Sequence, residues 1–147
     1  MTIDDVYDAL NTLLKAVQVP TPGGAYALAD KALVIPCFSL SGKAETWGAQ
    51  FTSAKDANRI HAWFFTQTKS LAPDERTRSG QQYVEWVISL YGYVAVEAGT
   101  FTDNSDRKMQ REANAIEYAL NADPHSLPAP LRAMRPFSLA RDVKLMG

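Results

Sequence analysis

The sequence predicts an α+β fold: a mixed or antiparallel sheet with a long projecting hairpin, an N-terminal helix and a second helix packed on one face, and an extended C-terminal arm. Three observations carry this. Residues 82–96 form one uninterrupted strand signal, rich in β-branched and aromatic side chains. Ile3, Val6, Leu10, Leu13, Leu14 and Val17 recur at helical spacing near one end of the chain. Met109, Ala113, Ile116 and Leu120 mark one face of a second amphipathic helix, with Arg107, Lys108, Arg111, Glu112 and Glu117 placed elsewhere on the cylinder.

The first helix has Thr2 as its N-cap, Asp4 and Asp5 in its first turn and Lys15 near its end, a charge order that opposes the helix dipole. Pro20, Pro22, Gly23 and Gly24 break both helix and strand ladders, so residues 18–31 read as a loop. Residues 32–39 read as a buried strand, Ser41, Gly42 and Lys43 as a turn, and the region from Trp47 to Phe51 as a return that pairs back. Ser53, followed by Asp56, is a candidate cap for a short helix, and a strand begins at about Ile60 and carries Trp63, Phe64 and Phe65.

Residues 70–81, with Pro73, Asp74, Glu75, Arg76, Arg78 and Gly80, form a charged loop between two strand signals, which makes those strands a hairpin. In the following strand Val84, Trp86, Ile88, Leu90, Gly92, Val94 and Val96 are all apolar, whereas the alternate positions Tyr83, Glu85, Val87, Ser89, Tyr91, Tyr93 and Ala95 are mixed. Period-2 alternation assigns the first set to a core. A polar turn over 99–105 leads into the second helix, which ends near Asn121, before Pro124. Residues 124–147 contain Pro124, Pro128, Pro130 and Pro136 and read as an arm that regains strand form around 137–143. The chain is one domain over 1–147, with an α+β core over 1–123 and a basic arm over 124–147.

Fifteen basic residues against 16 acidic ones leave a net charge of −1, which supplies no global attraction to nucleic acid or to an anionic membrane. A single Cys37 within an apolar run excludes an intrachain disulfide and reads as a small buried hydrophobe in a reducing compartment. The acidic opening of the chain is unlike a signal peptide, and no segment approaches the roughly 20 apolar residues of a membrane span. A soluble protein made in the cytoplasm is expected.

Catalytic and metal signals are sparse. His61 and His125 fall on different elements and outside any metal-ligand spacing, so each reads as a structural or surface histidine. Pro22, Gly23 and Gly24 lack the lysine of a phosphate loop and follow a helix. Ser39 and Ser41 lack the surroundings of a nucleophile, and Glu85 and Glu97 read as solvated carboxylates. The expectation is no catalytic residue, no metal, no cofactor and no enzymatic activity.

Two features point outward instead. Adjacent Trp63, Phe64 and Phe65 put large aromatics on both faces of one strand, and Tyr91 and Tyr93 oppose Trp86 on the other. Such faces suit a protein interface, although a helix on each side of the sheet would cover them equally. The arm carries Arg132, Arg135, Arg141 and Lys144 against Asp142 alone, a composition suited to docking on a partner, for example as an added strand.

The order of elements over residues 1–121 resembles the tail-terminator and neck proteins, which join head to tail in long-tailed bacteriophages. The resemblance lies in the first helix, the Pro/Gly loop, the strand over 32–40, the segment Ile60, His61, Ala62, Trp63, the charged hairpin loop, the strand ending Leu90, Tyr91, Gly92, Tyr93, and the Asn104, Ser105 turn before an amphipathic helix. Residues 124–147 depart from it, because these proteins usually end in clearer strands. The resemblance implies a structural virion protein, assembled in the host cytoplasm into a six-fold homo-oligomeric ring that ends the tail tube. Its implied partners are the tail tube protein, the head-completion or connector protein and, if the tail is contractile, the sheath protein, with no membrane and no specific nucleic-acid binding. Ring interfaces are heterologous, and the candidates are Trp63, Phe65, Asp74, Glu75, Arg76, Arg78, Tyr91 and Tyr93, together with the basic residues of the arm. The alternatives are a small-ligand or regulatory module, with Trp63, Phe65 and Trp86 lining a pocket between sheet and helix, and an enzyme.

Overall fold

The computed structural model describes residues 2–36, 51–71, 85–96, 99–100, 104–122 and 126–131, with 68–71 and 85–86 as backbone alone. The expectations placed on Cys37, the turn at 41–43, Trp47, the loop holding Asp74, Glu75, Arg76 and Arg78, the side chains of Val84 and Trp86, His125, and Arg132, Arg135, Arg141 and Lys144 lie outside the described residues.

The first helix, α1 (Ile3–Lys15), starts at Thr2 as its sequence requires. Thr2 Oγ1 accepts a hydrogen bond from the Asp5 N–H at 3.4 Å, and Asp5 Oδ2 accepts from the Thr2 N–H at 2.8 Å, a reciprocal capping box. Val6, Tyr7, Leu10 and Leu14 form its buried face.

Residues 18–31 are not a plain loop. Strands β1 (Gln18–Val19) and β2 (Tyr26–Ala27) pair antiparallel, and a 3-10 helix spans Leu28–Asp30. The helix breakers are confined to the turn between the strands, where Thr21 and Gly24 exchange two backbone hydrogen bonds of 3.1 Å and Gly24 adopts φ 121°. Val17, Val19 and Leu28 are buried on either side of it, and their burial orders the flanking backbone.

The sheet is mixed. Strand β3 (Leu33–Pro36) runs parallel to β5 (Arg59–Leu71), and β4 (Thr52–Ser53) and β6 (Glu85–Val94) run antiparallel to it. Of the return pairing expected around Trp47 to Phe51, residues 47–50 lie outside the described residues, and the described pairing is at residues 52–53. Ser53 does not cap the 3-10 helix over Ala54–Asp56; its hydroxyl donates instead to the Lys31 carbonyl at 2.6 Å. The β5–β6 ladder runs from His61 opposite Val94 to Leu71 opposite Glu85, with one irregularity between Gln67 and Lys69. Helix α2 (Ser105–Leu120) begins at Asn104, whose side-chain oxygen accepts from the Arg107 N–H at 3.0 Å.

Both helices cover one sheet face, as the sequence predicts. Val6, Leu10, Leu14, Ala113, Ile116 and Leu120 pack with Trp63 and Phe65, and Val34, Ile88 and Leu90 lie against them. Trp63 and Phe65 are therefore core residues, 3% and 0% exposed, and offer a partner no surface. Opposite Trp63 in the ladder stands Gly92, where the indole lies so close that an added Cβ would sit 2.7 Å from its ring. The other face carries Phe51, Ala62 and Phe64, packed with Leu33, Ile35, Ile60 and Tyr93. Residues 126–131 also depart from expectation: Leu127 and Leu131 are 6% and 3% exposed within the helix-side core, so this part of the supposed arm belongs to the body. Its prolines forbid a long helix but not a short 3-10 helix at Ala129–Leu131.

Candidate functional site

The described residue of greatest chemical consequence is Glu112, a carboxylate with 0% exposure in the middle of α2. Its position follows from the helix repeat: it stands three residues after Met109 and four before Ile116, so it shares their face. The expectation that Glu112 lies elsewhere on the cylinder is corrected on this ground.

An ionised carboxylate tolerates such burial only when hydrogen-bonded and charge-compensated. Three side chains converge on it. Tyr26 Oη donates to Oε2 at 2.5 Å, Trp63 Nε1 donates to Oε1 at 2.7 Å, and His61 Nε2 stands 2.7 Å from both oxygens. His61 and Trp63 lie two residues apart on β5, so strand alternation aims both at α2. Tyr26 arrives from β2, positioned by the turn that holds Pro20, Pro22 and the two glycines.

His61 is itself 0% exposed, and its other nitrogen, Nδ1, lies 2.9 Å from Asp56 Oδ2. Asp56 closes the 3-10 helix before β5, where Ala57 and Asn58 take left-handed backbone conformations (φ 53° and 56°) and turn the chain back. Lys108 Nζ of α2 lies 3.4 Å from the same carboxylate oxygen. Burial raises the Asp56 pKa, but the His61 hydrogen bond and the Lys108 charge outweigh it and hold the carboxyl below its usual range. Burial, and then donation to Glu112, push the Tyr26 phenol well above its usual value.

This constellation ties β2, the 3-10 turn, β5 and α2 together, and its functional atoms are enclosed by one another. Chemically it can hold and move a proton along the line Asp56, His61, Glu112. Among the described residues no group of three or more His, Cys, Asp or Glu side chains is placed to hold a metal ion, and no helix is long and apolar enough to cross a membrane. Among the described residues, two open grooves lie elsewhere: one along Asn114, Glu117, Tyr118, Asn121 and Ala122, another between Asp5, Asp8, Ala9 and Thr12 of α1 and Pro128, Ala129 and Pro130.

Of the interface candidates, the structure brings Tyr91 and Tyr93 together on the face opposite the helices. Phe64 stacks on Tyr91 at 5.0 Å between centroids and on Tyr93 at 5.6 Å, and Phe51 lies 5.1 Å from Tyr93. Tyr91 is 41% exposed and Val87, on the same face, 37%. Sequence reasoning missed the Asp56, His61, Glu112 chain because 51 residues separate His61 from Glu112. One signal was present: an acidic residue inside an apolar helical stripe demands a buried donor. No protein-family model, no curated protein and no solved structure matches the chain.

Proposed function

We propose that the protein is a structural subunit of a long-tailed bacteriophage, of the tail-terminator or neck kind. It closes into a homo-oligomeric ring, six-fold in the reading developed above, at the end of the tail tube, and joins the tube to the head-completion proteins. The observation that carries this reading is the β5–β6 hairpin. Its strands hold 13 and 10 residues, about twice the usual five or six, and β5 is roughly 40 Å long at the standard strand rise. Among the described residues, strand β3 pairs with residues 62–65 of β5, and the Gln67 N–H donates to Tyr7 Oη of α1 at 2.7 Å. The ladder nevertheless continues to Leu71 opposite Glu85. A long two-stranded ladder is marginal in isolation and suited to packing on a neighbour. The partly exposed Val87 and Tyr91 of the same hairpin support that use, as an aromatic at the centre of a contact contributes strongly to binding.

Light scattering coupled to size exclusion tests the reading. A hexamer is expected, either alone or after addition of the tail tube protein; a monomer under both conditions overturns it. Arg76→Glu combined with Arg78→Glu, in the segment joining the two strands, is expected to impair assembly with little change in thermal stability.

A further inference from the structure

We draw no further inference here: the strongest candidate, the open groove between Asp5, Asp8, Ala9 and Thr12 of α1 and Pro128, Ala129 and Pro130, is an acidic surface patch, and nothing in the structure shows what covers it.

Discussion

Gly92 has little room for a side chain. A methyl group there would sit 2.7 to 2.8 Å from three carbons of the Trp63 indole, which is itself held by its bond to Glu112 and by the helix-side core. Neither the indole nor the β6 backbone can yield without breaking hydrogen bonds, so Gly92→Ala is expected to cost about 1–3 kcal/mol by overpacking. Chemical denaturation checks this. Tyr26 offers a second test at this scale. Its phenol pKa is raised by burial and by the Glu112 bond, so the native state holds its proton more tightly than the unfolded chain. The stability it contributes is complete below the ordinary tyrosine range near 10 and is lost as pH rises above it. Melting temperatures measured from about pH 9 to 11 should therefore fall more steeply in the wild type than in Tyr26→Phe.

At the scale of elements, the segment over 126–131 separates two views of the C-terminal region. Leu127 and Leu131 are buried against α1 in the helix-side core. Truncation after residue 131 keeps both leucines and serves as the reference. Truncation after residue 123 removes both leucines, at about 2–5 kcal/mol for each buried side chain lost, and should yield an unstable protein. Equal stability of the two truncations would show that this segment contributes nothing to the body. Helix α2 illustrates a different balance. Its apolar stripe docks it on the sheet, yet Glu112 interrupts that stripe and must be satisfied by side chains from β2 and β5, so packing and polar matching are settled together.

At the scale of the molecule, the sheet has two differently covered faces. One lies under α1 and α2; the other carries the stacked Phe51, Phe64, Tyr91 and Tyr93. In the proposed ring the second face and the far end of the hairpin meet a neighbouring subunit. Tyr91→Ala, which removes an exposed ring and leaves the helix-side core intact, should shift the population from ring toward monomer in light scattering while altering the melting temperature little. Unchanged assembly would move the contact away from Tyr91.

Much of this architecture was legible in the sequence, for a physical reason. The α1 cap at Thr2, the apolar stripes of both helices and the period-2 alternation that turns Ile88 and Leu90 inward are local patterns, set by helix and strand geometry acting on neighbouring residues. The α+β class follows from them. Tertiary structure alone decided what depends on distant partners. Whether Trp63 and Phe65 face a neighbour or the interior depends on which sheet face receives the helices. Whether residues 18–31 pair depends on the burial of Val17, Val19 and Leu28, which overrides the local preference for a loop. His61 acquires its role only because folding brings Asp56 and Glu112 to its two nitrogens, across five and 51 residues of chain, and no pattern of spacing along the sequence encodes a hydrogen bond made at that separation.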